Sequence, residues 1–355
     1  MEIYISVFIV LALMTMCNNL VKSKIWLIIA TIILIVFAGL RNNVGYDYLT
    51  YSNIYSGNLL QGQVELGFLK ITEWLHSMGV PFSIFTILWS AGTIGLLAIF
   101  VNKYMPSDMS PLLYYYARFF LVRDMGQIRS SMAAVICMLS IKSIIDHKFW
   151  KFLLIVIIAS TIHISALFFL LCYPLVQFLR QRYSLKREIL SIILSMLFGI
   201  ALSGIMVQTV MKFFPRYYAY VYSSAYLSTS IINPVAIMQL LILLLSTWIT
   251  FSSKRSCENI VDGSLSSAGI DVLLAIYWIS TILLFMFPTF STVVGRLSTI
   301  GATVEIILVP TIINRLVGRF GRSIVLIIVS GIVFYLIFVV SGAYQYYVPY
   351  VSIFA

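Results

Sequence analysis

Apolar runs of membrane-spanning length recur along this chain, separated by short polar interruptions. Crossing a bilayer takes roughly 20 predominantly apolar residues, because every backbone polar group in hydrocarbon must be bonded within the helix. The pattern predicts about twelve transmembrane segments, near 3–20, 25–40, 82–101, 110–122, 125–145, 149–162, 163–179, 189–211, 232–252, 270–288, 296–313 and 323–342. Residues 66–79 have a helical pattern but carry Lys70, Glu73 and His76, which predicts an amphipathic helix lying in the interface. Residues 149–179 are too long for one span and short for two. The polar stretch Thr161-Ile162-His163-Ile164-Ser165 sets the break between them. The fold class is therefore an all-α integral membrane protein, a polytopic helical bundle forming a single domain over 1–355.

Composition strengthens the same picture. Of 355 residues, 61% are hydrophobic and 10% charged, against about 45–50% and about 25% in soluble domains. That excludes a soluble enzyme, a secreted disulfide scaffold, a disordered chain and a coiled coil. The net charge of +11 would suggest nucleic acid on a soluble protein. Here it fits cytoplasmic loops retained by lysine and arginine, and no nucleic-acid-binding motif is present. About 15 of the 23 basic residues fall on the predicted cytoplasmic side and about 8 outside. The start at Met1-Glu2 lacks the basic region of a signal peptide and reads as an uncleaved first span with both termini external. The predicted outer surface comprises a loop over 41–66, a second loop over 212–230 and a tail over 343–355, all rich in tyrosine. The inner loops are short, and no internal repeat of the transporter kind is apparent. Cys17, Cys137, Cys172 and Cys257 have no metal or disulfide spacing.

The informative residues are the basic ones on the external side. An arginine at the centre of a membrane helix costs about 2.5–3.5 kcal/mol on insertion scales. Arg41-Asn42-Asn43-Val44-Gly45-Tyr46-Asp47-Tyr48-Leu49-Thr50-Tyr51 combines a guanidinium fork suited to phosphate, a carboxylate and three rings that offer flat faces to sugars. Arg123-Asp124-Met125-Gly126-Gln127-Ile128-Arg129-Ser130-Ser131 is expected to open the inward-running helix, with Arg123, Gln127 and Ser130/Ser131 on one face. Arg118, Arg123 and Arg129 repel one another unless a carboxylate or an anion lies among them. His163 sits at the predicted outer turn, where an imidazole serves as base or phosphate ligand. Arg216 and Arg296 complete the basic set; Glu305 lies mid-span, suited to balancing a buried arginine, and Glu65 ends the first loop. Motifs of ATP-driven transport, zinc proteolysis and nucleotide-sugar metal binding are missing from the sequence.

These elements, in order, resemble the EpsG/Wzy-like family of bacterial polysaccharide polymerases. The matching pieces are Arg41-x-x-x-Gly45-x-Asp47-Tyr48-x-x-Tyr51, Glu65-Leu66-Gly67-Phe68, Ile128-Arg129-Ser130-Ser131-Met132-Ala133, Ile162-His163-Ile164-Ser165-Ala166, Gly295-Arg296-Leu297 and Tyr347-Val348-Pro349-Tyr350-Val351-Ser352. Tyr46, Leu66 and Ser130 depart from the residues common at those positions. The resemblance implies a GT-C-like membrane glycosyltransferase in the bacterial cytoplasmic membrane, with its active site facing the periplasm or exterior. It would transfer a glycan chain from undecaprenyl diphosphate to the non-reducing end of another lipid-linked repeat. No metal or other cofactor is implied. The expected catalytic groups are His163, Asp47 and Arg129. The diphosphate clamp falls to Arg123, Arg129 and Arg296, with Arg41 and Arg216 as lesser members, and the glycan to Tyr46, Tyr48, Tyr51 and Glu65. Expected partners are the undecaprenyl diphosphate-linked oligosaccharide, the lipid bilayer, and a chain-length regulator with other assembly proteins of the pathway. The rival readings are a ligase using the same donor and a transporter or flippase of lipid-linked oligosaccharide.

Overall fold

A computed structural model describes residues 1–58, 64–180, 184–213, 234–254, 267–286, 291–318 and 321–354. The regular elements among them are helices. In chain order they are α1 (Glu2–Leu20), α2 (Lys24–Gly39), α3 (Tyr48–Tyr55), α4 (Leu66–Ser77), α5 (Phe82–Tyr104), α6 (110–123), α7 (Ile128–Ile145), α8 (Phe149–Ile162), α9 (Ile164–Leu179), α10 (Leu185–Phe213), α11 (Pro234–Lys254), α12 (Ser267–Met286), α13 (Ser291–Ala302), α14 (Glu305–Leu316) and α15 (Gly321–Val340).

Among the described residues, five helices have the length and apolarity of a full span: α1, α5, α7, α12 and α15. A sixth forms if α13 and α14, bent by 48° at their junction, count as one. The helices α2, α8, α9 and the Pro234–Thr250 part of α11 are apolar but shorter. Many of the twelve predicted segments are thus helices without being full-length spans. Apolarity along the sequence does not distinguish a lipid-facing helix from one buried in protein. The helix 110–123 is an example, since nearly all its side chains are enclosed. The predicted break at 161–165 is sharp: α8 ends at Ile162, His163 is extended, and α9 starts as a 3-10 helix at Ile164.

Close helix approaches use glycine where a side chain would not fit. A Cβ at Gly39 would come within 2.8 Å of the Ile87 backbone, and there α2 lies on α5, with the Thr86 hydroxyl donating to the Gly39 carbonyl at 2.8 Å. Gly45 has φ +103°, a region that favours glycine, and a Cβ there would run into the Met125 carbonyl. The segment after α2 is clasped by the C-terminal tail. Asn42 donates its backbone N–H to Val351 O (2.8 Å), Gly45 to Tyr346 O (2.9 Å), and Ile353 to Leu40 O (2.9 Å). The Tyr4 hydroxyl donates to Tyr347 O at 2.5 Å and the Tyr350 hydroxyl to Phe37 O at 3.0 Å. Residues some 300 positions apart in sequence are therefore fixed at one end of the bundle.

Several charges lie inside the bundle. Glu305, at the bend between α13 and α14, is fully buried. It faces Arg118 Nε at 3.2 Å and accepts the hydroxyls of Tyr114 and Tyr277, each at 2.9 Å. Arg118 lies on a π-helical turn, Tyr116–Phe120, where the widened ladder turns the side chain away from its regular α-helical direction. Glu305 does balance a buried arginine.

Truncating one member of such a pair leaves an uncompensated buried charge, at a cost of about 3–5 kcal/mol. Arg118→Met is expected to lower the melting temperature in detergent far more than the double variant Arg118→Met/Glu305→Gln, read by thermal size-exclusion. Gly45→Ala is expected to lose about 1–3 kcal/mol from backbone strain, read on the same assay.

Candidate functional site

Five separate segments bring polar groups together where the loop 41–47 meets the start of α7. Glu65 precedes α4. A Cβ at Gly67 would meet Thr161 Cβ and its carbonyl at 2.7 Å, so α4 sits directly on the end of α8. That contact delivers the Glu65 carboxylate to the α8–α9 break. One oxygen pairs with Arg129 Nη1 at 2.5 Å. The other accepts the Ile164 N–H at 3.0 Å and lies 3.5 Å from His163 Nδ1. Glu65, Arg129 and His163 are each 17–19% exposed, sheltered but reachable. The Arg129 guanidinium also lies over Tyr51 (5.7 Å) and Phe68 (5.5 Å), which hold it by cation–π attraction. Arg296, from α13, is within electrostatic range of both Asp47 and His163; α13 packs on α7 and on the first turns of α9.

His163 caps α9. Its Nδ1 accepts the Ser165 N–H at 3.3 Å and lies 3.2 Å from the Ser165 hydroxyl. Burial, opposed by Glu65 and reinforced by the Arg129 and Arg296 charges, pushes the imidazole down to about 4. It is neutral at pH 7. Asp47 is half-buried, and desolvation raises its carboxyl above the ordinary range despite Arg296 and Arg129. Its oxygens form no hydrogen bond or ion pair among the described residues, including to the α3 helix start that it precedes.

The structure does not bring all the predicted basic residues to this place. Arg41 is 1% exposed, donates to the Ala38 carbonyl and lies 5.9 Å from the Tyr48 ring centroid. Arg123 is 2% exposed and donates to Thr303 Oγ1 at 2.6 Å and to the Thr299 carbonyl. Both guanidiniums bond within the protein, although Arg41 Nε is buried with no hydrogen-bond partner among the described residues. The expected shared face of Arg123, Gln127 and Ser130/Ser131 does not form. Helix α6 ends at Arg123 and α7 begins at Ile128, with a tight turn between them. A Cβ at Gly126 in that turn would lie 2.7 Å from the Tyr347 hydroxyl and from the Tyr46 ring. Asp124 turns inward, where it accepts the hydroxyls of Tyr115 (2.5 Å) and Ser131 (2.9 Å). Arg216 and most of the loop 212–230 lie outside the described residues.

The three predicted sugar-binding rings are mainly packing elements. Tyr48 and Tyr51 are buried, edge-on to Phe82 and Phe68 respectively. Tyr46 donates its hydroxyl to Val122 O at 3.0 Å. Tyr346, edge-on to Tyr46 at 5.7 Å and 59% exposed, is the ring left open beside them. Sequence reasoning did not single it out among the tail's aromatics. Nor did it foresee Glu65 as the residue that touches both Arg129 and His163. Only the order Glu65-Leu66-Gly67 hinted at it, because a small residue beside an acid permits a close approach.

With this geometry in place, comparison with known proteins gives one match. The family profile described as the EpsG family covers residues 24–352, nearly the whole chain. No curated protein and no solved structure matches. The depressed imidazole has a checkable consequence. A histidine whose folded pKa lies below its unfolded value of about 6.5 loses folded-state stability as pH falls through that window, since the unfolded chain binds the proton first. Asp47, raised on folding, acts in the opposite sense. In an NMR titration, the His163 ring signals are expected to stay at their neutral positions from pH 8 to 5 and to move only near about 4.

Proposed function

We propose that this chain, which belongs to the EpsG family over residues 24–352, is a polysaccharide polymerase of the bacterial cytoplasmic membrane. It transfers a growing glycan from undecaprenyl diphosphate to the non-reducing end of another lipid-linked repeat. The family match and the apolar helices support a polymerase-type role in a membrane. The lysine and arginine bias supports an active end facing the periplasm or exterior. On this reading the bundle adopts a GT-C-like arrangement of about twelve membrane segments, several of them short or bent. The bilayer, a chain-length regulator and other assembly proteins of the pathway are its partners.

The observation that carries the proposal is the placement of Arg129 and Arg296. Both lie within electrostatic range of Asp47 and of His163, so two guanidiniums from different helices act on one carboxylate and one neutral imidazole. Cleaving a sugar–diphosphate bond develops negative charge on the leaving oxygen, and fixed cations in a sheltered site stabilise that charge. Arg129 pairs with the Glu65 carboxylate. Arg41 and Arg123 build the wall behind the site rather than gripping the donor.

Purified protein in lipid nanodiscs, supplied with lipid-linked repeats and no ion gradient, is expected to yield a polymer ladder. Arg129→Ala and Arg296→Ala are each expected to lower its formation at least about 100-fold, leaving single repeats. Normal ladders from both correctly folded variants would remove the proposed site. Finished polymer consumed rather than made would point to a ligase.

A further inference from the structure

The site contains three groups able to take a proton from an acceptor hydroxyl: Glu65, His163 and Asp47. Two of them are already committed. Glu65 gives one oxygen to Arg129 at 2.5 Å and the other to the Ile164 N–H at 3.0 Å. A carboxylate so engaged is a poor base, because accepting a proton would break its charge pair with Arg129. His163 is constrained by its capping role. The Ser165 N–H points at Nδ1 from 3.3 Å, and a backbone amide only donates. The Glu65 oxygen lies farther from the same nitrogen, at 3.5 Å, and the structure assigns Nδ1 the lone pair that receives the capping amide. In a neutral imidazole the remaining proton is then on Nε2, and the ring presents a donor rather than an acceptor to the site. Nε2 has no partner among the described residues.

Asp47 stands in contrast. It lies just ahead of α3 yet does not cap it. Its oxygens are unengaged, and its electrostatic neighbours are Arg296 and Arg129. Among the described residues of the cluster it is the acid that lies in the field of both Arg296 and Arg129 with its carboxylate oxygens unbonded.

We infer that Asp47 is the general base of the transfer and that His163 is fixed in its Nε2–H form as a hydrogen-bond donor to the leaving diphosphate. This rests on the polymerase reading above. The acceptor hydroxyl proton passes to an Asp47 oxygen, and the hydroxyl oxygen attacks the anomeric carbon of the donor sugar. The bond from that carbon to the diphosphate oxygen breaks, and its electron pair stays on the diphosphate. Arg129, Arg296 and the His163 Nε2–H stabilise the charge that results. His163 neither gains nor loses a proton in the step. Glu65 is a positioning residue. It aims Arg129 and, through the Ile164 N–H, sets the first turn of α9 on which the imidazole is capped.

Two independent measurements test this. The first needs no turnover: 15N NMR of histidine-labelled protein in nanodiscs at pH 7. Comparison with His163→Asn identifies the His163 signals. They are expected to show a pyridine-type Nδ1 and a pyrrole-type, protonated Nε2; a protonated Nδ1 would overturn the assignment. The second is polymerisation by Asp47→Asn, His163→Asn and His163→Ala, each checked for a wild-type elution profile. Asn at 163 retains an oxygen to cap α9 and an N–H to donate, but it cannot act as a base. His163→Asn is expected to stay within about tenfold of wild type, His163→Ala to fall further, and Asp47→Asn to lose about 10²–10⁴-fold. His163→Asn falling as far as Asp47→Asn, or Asp47→Asn keeping its rate, would sink the inference. Wild-type protein that makes no polymer while showing the Nε2–H ring would instead refute the polymerase reading and leave the imidazole assignment standing.

Discussion

The carboxylate of Glu65 holds the site together. Its contacts reach a helix start through Arg129, a helix break through the Ile164 N–H, and an imidazole at His163. These partners lie 64 to 99 positions away in the chain, and no local preference would have assembled them. The attachment works because α4 is allowed close to α8 at Gly67. A backbone detail thus places a charge, and the charge holds Arg129 and lies beside His163. Arg129, held by Glu65 and by the faces of Tyr51 and Phe68, is organised before any substrate arrives. Such preorganisation is what makes charge stabilisation effective in a sheltered site.

The chain sorts its arginines into two kinds of environment. Arg41, Arg118 and Arg123 are nearly inaccessible and bond within the protein, to carbonyls, hydroxyls or Glu305, while Arg41 Nε and Arg118 Nη2 have no hydrogen-bond partner among the described residues. Their desolvation is offset by these bonds, and removing one partner strands the other. Arg129 and Arg296 are partly exposed and stand beside Asp47 and His163. The inner set fixes where α6, α13 and α14 lie. The outer set stays partly exposed.

The aromatic residues serve the scaffold in the same way. Tyr4, Tyr347, Tyr350 and Phe37 join the first two helices to the tail by hydroxyl bonds and ring contacts. This holds the loop carrying Asp47 against the turn at Gly126. Among the described residues, Tyr346 is a ring left exposed beside that loop.

Much of the architecture was legible in the sequence because hydrocarbon imposes a one-dimensional rule: long apolar runs become helices, and polar interruptions become breaks. The break at His163 follows from that rule, the helix over Leu66–Ser77 from its amphipathic pattern, and the need for a partner to Arg118 from the cost of burying a charge. The ordered motifs around Arg41, Glu65, Arg129, His163 and Arg296 pointed to the EpsG family, and the family match bears this out. Composition cannot say whether an apolar helix faces lipid or protein, so it could not fix how many helices span. Charge cannot say where it points. A guanidinium reaches several ångströms from its backbone, and whether it ends on Thr303, on Glu305 or beside Asp47 is decided by the helices packed around it. The sequence named the arginines, and the tertiary packing decided which of those described are sealed inside the bundle and which stay partly exposed, because burial depends on the neighbouring helices.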